Sequence, residues 1–153
     1  MSHEARFAAL GLTLPSPPKP FATYATSTLH GDLLYTSGHG PLRADGTFAV
    51  GKLGATLDVA QGREAARLTG LAILSTIREK LGSFDRVARI VKVLGMVNAT
   101  PDFTEHPQVI NGCSDLFVQV FGEAALAARS AVGTNSLPSG IAVEIEAIFA
   151  VAP

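Results

Sequence analysis

The chain has one cysteine, Cys113, in 153 residues. A lone thiol excludes an internal disulfide framework and a zinc site built on clustered cysteines. Histidine is also sparse. His3, His30, His39 and His106 are scattered, without the close spacing that metal ligation needs. Charge of both signs is thin, with 12 lysines and arginines against 13 aspartates and glutamates and a formal net charge of −1. That balance argues against a surface built to track a nucleic-acid backbone. No apolar run reaches the roughly 20 residues of a membrane-spanning helix. No basic region followed by an apolar run opens the chain, so no secretory signal is expected. The expectation is a soluble cytoplasmic protein.

What is present is apolar. Hydrophobic residues make up 47% of the chain, enough for a real core in a single domain. Residues 1–20 form a short segment of their own, with helical pattern over Glu4 to Leu12. Pro15, Pro17, Pro18 and Pro20 then force an extended path. This leading helix is expected to dock over apolar surface. Residues 21–153 are the main domain. Tyr24 to Leu29 and Leu33 to Ser37 read as strands across Gly31-Asp32, and Thr47 to Val50 as a short strand after Asp45-Gly46. Thr56 or Asp58 caps a long helix that ends near Gly82. Val87 to Val97, rich in Val and Ile, reads as a largely buried strand. Pro107 starts a second helix, Gln108 to Phe121, closed by Gly122. Two long helices against one sheet make an α+β layer fold.

The last stretch, Ala128 to Ala147, carries most of the chemistry. It reads as a β-hairpin turning at Leu137-Pro138-Ser139-Gly140. Val143, Ile145, Ala147 and Phe149 alternate with Glu144 and Glu146, so one face is apolar and the other carries carboxylates. Arg129 sits among Ala127, Ala128, Ser130 and Ala131. These small neighbours leave room for a guanidinium, whose planar donor fork suits a carboxylate. The bland alternative is a surface arginine, solvated or paired with Glu123.

ARSAVGTNSLPSGIAVEIEA resembles the C-terminal signature of the RidA family, also called YjgF or L-PSP. Other pieces fall in order: Tyr24, then Thr36-Ser37-Gly38-His39-Gly40-Pro41, similar to the family's T-S-G-Q-x-P. Asp102-Phe103, Asn111 and Leu116-Phe117 resemble a further motif. The likeness runs from about Phe21 to Val151, and the leading helix is similar to that of the longer-chain branch. The resemblance implies a chorismate-mutase-like fold, with a mixed sheet, two long helices on one face, and a homotrimer with clefts between chains. It also implies hydrolysis of reactive 2-imino acids or enamines to 2-oxo acids and ammonia, without metal or organic cofactor.

By the same resemblance, Arg129 binds the substrate carboxylate and Glu144 orients the attacking water. Tyr24 assists catalysis, and Gly38, Ala131 and Asn111 bind substrate. Phe103 and Phe117 are expected in the core. Three positions depart from the pattern. Ala131 stands where many imine deaminases of the family carry a cysteine, His39 where glutamine is usual, and Ser114 where an aromatic is common. His39 is either a titratable group near the site or a packing residue. Two other functions compete: a non-catalytic module holding a small carboxylate, and the ribonuclease activity attached to some relatives. The last lacks a basic stripe and a histidine pair for general acid–base cleavage.

Overall fold

The computed structural model describes all 153 residues. Helix α1 (His3–Ala9) leads into strands β1 (Ser27–His30) and β2 (Leu33–Thr36). Helix α2 (Val59–Leu81), strand β3 (Val87–Asn98) and helix α3 (His106–Phe121) follow, then β4 (Ala128–Thr134) and β5 (Val143–Val151). The strands form one sheet in the order β1-β2-β5-β3-β4. β3 and β4 run parallel with α3 as their crossover, and every other pair is antiparallel. The fold is therefore α+β with a mixed sheet. No helix is long and apolar enough to cross a membrane.

Local signals explain the helix ends. Asp58 caps α2 by accepting the Gln61 N–H at 2.8 Å, and the Gln61 side chain accepts the Asp58 N–H at 2.9 Å. This reciprocal box satisfies two of the donors a helix start leaves free. Gly82 ends α2 at φ +79°, a left-handed conformation that costs glycine little. Pro107 occupies the first turn of α3, where its missing N–H is no loss. α1 begins at Ser2, whose hydroxyl accepts the Ala5 N–H.

α1 docks as expected. Phe7 is buried against Phe84, with ring centroids 5.2 Å apart. Glu4 accepts the Phe84 N–H at 2.7 Å and pairs with Arg78 at 2.6 Å. The proline segment lies across α2, where the Ser75 hydroxyl donates to the Pro15 carbonyl at 2.7 Å.

The expected hairpin is absent. β4 and β5 do not touch, because β3 lies between them and pairs with both. The turn Pro138–Gly140 is only one part of a longer link from Asn135 to Ala142. That link can cross the ~10 Å between non-adjacent strands. Placing β3 inside the sheet pairs both edges of the longest strand, which a local hairpin would not do. Two smaller differences occur. β1 starts at Ser27, leaving Tyr24 in the loop before it, and Thr47 to Val50 makes only isolated bridges to Leu42 and Ile141.

Both long helices cover one face of the sheet. Val93, Val97, Val143, Ile145 and Phe149 point into the core they share with Ile73, Ile77, Ile110 and Phe117. The opposite face has no helix. Leu94, Met96 and Ile148 are half-buried there, and Tyr35 and Val132 are exposed. β3 is thus buried on one face rather than on both.

The His39 ring is buried and turned inward toward α2. The residue is 4% exposed. Its Nδ1 lies 2.6 Å from the Ser37 carbonyl, which can only accept, so Nδ1 carries the proton. Nε2 then accepts from the Thr76 hydroxyl at 2.8 Å. Burial holds the His39 pKa below its ordinary 6.5. A depressed folded-state pKa contributes stability above the unfolded value, lost as pH falls through the folded one. Stability should therefore drop on acidification below about pH 6.5. A glutamine can donate and accept at the same two points without titrating. Followed from pH 7 to pH 5, the parent's denaturant midpoint should fall relative to that of His39→Gln. A constant difference would show that His39 titrates normally.

α2 and α3 cross in close contact at Gly112, where an added methyl would run into the Arg63 carbonyl. A backbone obstacle cannot rotate aside, so the helices must part. Gly112→Ala should lower stability by about 1–3 kcal/mol, the usual range for overpacking. An unchanged melting temperature would show slack at this crossing.

Candidate functional site

Tyr24, Gly38 and Glu144 line one cleft, of about 450 Å³, together with Phe21, Phe48 and Ser139. β5 creates the Glu144 position. Val143 and Ile145 point into the core, so Glu144 between them must project from the uncovered face. Gly38 lies directly against this carboxylate, and a Cβ there would overlap the Glu144 side chain. Glycine is needed here for close approach, not for an unusual φ. The half-buried Glu144 has no hydrogen-bond partner in the chain and forms no ion pair. Burial raises its pKa, and the neighbouring Glu146 charge adds to the shift. It is a stronger base than an ordinary glutamate.

Tyr24 stands at the mouth of the cleft, 43% exposed. Its phenolic oxygen accepts the Phe21 N–H at 3.4 Å. Sequence reasoning missed Phe21, Phe48 and Ser139. Phe21 follows the last proline of the leading segment, so its position was legible but its neighbour was not. Ser139 holds φ +57°, the one non-glycine residue in the left-handed region, and Pro138-Ser139-Gly140 read only as a turn.

Arg129, Asn111 and Ala131 form a second cluster. Arg129 lies beside Val93 on the helix-covered face. One terminal guanidinium nitrogen donates to Asn111 Oδ1 at 2.8 Å and to Ser114 Oγ at 3.1 Å. Its other nitrogens bond to no protein group, and it makes no ion pair with Glu123 or any other carboxylate. The fork is therefore held at one corner and open at the rest. Asn111 positions the arginine, and so does Ser114, which sequence comparison marked only as a departure. Ala131, two residues along β4, packs partly against the core beside this open corner. Cys113 is fully buried nearby, and burial pushes its thiol pKa up despite the Arg129 charge, so it is unreactive.

These two clusters do not meet within one chain. Arg129 pairs with Val93 and Glu144 with Met96, on opposite faces of β3. Their strands are two spacings apart, about 10 Å, before the sheet thickness is added. Phe117 lies in the core as expected. Phe103 is half-buried outside both clusters, its ring edge-on to His106 at 5.2 Å. No group of three or more His, Cys, Asp or Glu side chains is placed to hold a metal ion.

Residues 4–149 match the family described as "YjgF/chorismate_mutase-like, putative endoribonuclease". Protein TCP17 of Trypanosoma cruzi is 42% identical over 145 residues, spanning 94% of this chain and 91% of its own. The structure of Atu1372 from Agrobacterium tumefaciens, a protein of unknown function, is 40% identical with a TM-score of 0.88, covering 97% of this chain and 93% of that one. A Shewanella oneidensis protein named a "putative endoribonuclease" superposes with a TM-score of 0.94 at 28% identity, over 99% of this chain and 100% of that one. Sequence and fold agree over nearly the whole length, leading helix included, and the chain belongs to the YjgF/chorismate mutase-like family.

Proposed function

We propose that the protein hydrolyses 2-imino acids, or the enamines that tautomerise to them, giving a 2-oxo acid and ammonia in clefts shared between copies of the chain. One observation carries this reading: an open arginine fork and an unpaired, raised-pKa carboxylate lie on separate surfaces, each half of a site. A neighbouring copy supplies the missing half. The uncovered apolar sheet face, with Leu94, Met96, Val132 and Tyr35, is the natural contact for that neighbour, and a closed trimer fits the family. TdcF of E. coli, solved with bound serine, shares the fold at 23% identity and a TM-score of 0.62, over 92% of this chain and 94% of that one. Its ligand is a small carboxylate, the class that Arg129 suits.

The chemistry follows from charge. The free nitrogens of Arg129 take the substrate carboxylate, each charge-assisted bond contributing ~1.5–3 kcal/mol. Glu144 is negative and cannot anchor a carboxylate. It receives a proton from water as the water oxygen bonds to the imine carbon. Glu144 then returns that proton to the nitrogen, the C–N bond breaks and ammonia leaves, and the hydroxyl on carbon gives up its proton to the departing ammonia as it becomes the carbonyl. A protonated imine is electrophilic enough for a carboxylate base, and the raised pKa of Glu144 improves the match. Tyr24 stands at the cleft mouth to steer water or the leaving nitrogen. The same site without turnover would be a carboxylate-binding module, which assay of an imine generated in situ distinguishes. Cleavage of RNA has less support, since neither cluster contains a histidine pair.

Glu144→Gln should lower kcat by ~10²–10⁴, the usual contribution of general-base assistance. Binding of a 2-oxo acid, followed by calorimetry, should be kept or slightly improved. The acid limb of kcat should lie above pH 4.5, because Glu144 is protonated more readily than an ordinary glutamate. Glu146→Gln removes a neighbouring charge and should move that limb to lower pH. A limb indifferent to Glu146 would separate the two carboxylates.

Arg129→Lys should lose most oxo-acid affinity, since lysine keeps the charge but not the fork. The shared cleft has a sharper test. Arg129→Lys and Glu144→Gln chains, each inactive alone, are unfolded and refolded together. In a cyclic assembly about a quarter of the interfaces then combine an intact arginine with an intact glutamate. Recovery of activity towards that fraction supports the shared cleft, whereas none at all, or a monomer in sedimentation, removes it.

A further inference from the structure

Resting on the deaminase reading above, we infer that the cleft is built for 2-imino acids with bulky apolar or aromatic side chains rather than for the three-carbon acid. Size is the first argument. The half of the cleft that this chain supplies has a volume of about 450 Å³ before a neighbouring copy closes over it, within the ~300–1,000 Å³ that enclose drug-sized ligands. A three-carbon acid held at Glu144 would leave most of that wall in contact with water.

The distribution of polarity is the second. Glu144 lies directly against Gly38 at one end, and of the other polar lining groups the Ser37 hydroxyl is already committed to the Ala25 carbonyl at 2.6 Å, leaving Tyr24 and Ser139. The remaining wall is largely Phe21, Phe48, Pro138 and Ile141. Phe21, Phe48, Pro138 and Ile141 offer no partner to a charged side chain, and burying one against them is unfavourable.

Phe21 is the third. Its ring is 83% exposed, the largest exposure of any aromatic in the chain. It is nevertheless fixed. Pro20 precedes it, Tyr24 accepts its N–H at 3.4 Å, and its ring lies 6.1 Å from Phe48 at 59°. The two rings pack as a tilted pair, and the rest of the Phe21 ring stays free for a further apolar or aromatic group. An ordered, exposed ring at the mouth of a catalytic cleft is a wall awaiting a side chain.

An amino-acid oxidase supplies imines from phenylalanine, leucine and alanine, and oxo-acid formation is followed above the uncatalysed rate. The parent should favour the phenylalanine imine over the alanine imine by about 10-fold or more in kcat/KM, the scale on which apolar pockets discriminate. Phe21→Ala should lower that ratio several-fold, and Phe21→Trp should keep it. Phenylpyruvate should bind more tightly than pyruvate in calorimetry, with the advantage lost in Phe21→Ala. Equal rates for all three imines, or preference for alanine, overturns this inference and leaves the deaminase reading intact. A Phe21→Ala protein that assembles poorly but keeps its ratio also overturns it, assigning the ring to a subunit contact. If no imine is turned over, the deaminase reading fails. Phenylpyruvate binding then decides whether the cleft selects aromatic acids.

Discussion

The structure depends on a sheet covered by helices on one face only. Side chains alternate along every strand, so each strand divides its residues between a dry face and an open one. The dry face is filled completely: Ile145 and Phe149 meet Ile73, Ile77 and Phe117 with no exposure beyond 1%. Helix packing there is close enough to require glycine at position 112. No such cover exists for Leu94, Met96 and Val132 on the other side. Open apolar side chains of this kind mark a candidate contact surface, and the same face carries Glu144.

Alternation also keeps the two candidate clusters apart within one chain. Position 129 on β4 falls on the helix side and position 144 on β5 on the open side, each by strand parity. A one-residue shift in either register would put Arg129 out in solvent or Glu144 into the core, with an isolated buried charge. The register is therefore held by the core, through Val93 beside Arg129 and Val143 and Ile145 beside Glu144. The functional groups are carried by strands whose places are fixed for packing reasons. This is how a rigid scaffold keeps a fork and a base ready without any contact between them.

Much of this was legible in the sequence. The apolar and acidic alternation of β5, the Asp58 cap, the Gly82 stop and the motif residues Arg129 and Glu144 are local patterns, and local patterns are what a sequence displays directly. Topology was not. Ala128 to Ala147 satisfies every local rule for a hairpin, and only the demand of β3 for neighbours on both edges separates its strands. His39, which adjoins Gly38, read either as a titratable group near the site or as a packing residue. Its ring turns inward to Thr76, thirty-seven positions on, which no local pattern reveals. Ser114 and Phe21 were hidden for the same reason: their partners, Arg129 and Phe48, are distant in sequence.

The electrostatics of the proposed shared cleft give binding and chemistry an order. Alone, Glu144 is made basic by burial and by Glu146. A guanidinium brought near it from a neighbouring copy would favour its charged form and make it a poorer base. A substrate carboxylate on that guanidinium cancels most of the effect, because the pair it forms is nearly neutral as seen from Glu144. The base is then strongest when substrate is bound and weaker when the cleft is empty. Asn111 and Ser114 hold one corner of the fork, which in the proposed cleft would leave the free nitrogens to a substrate carboxylate rather than to the glutamate.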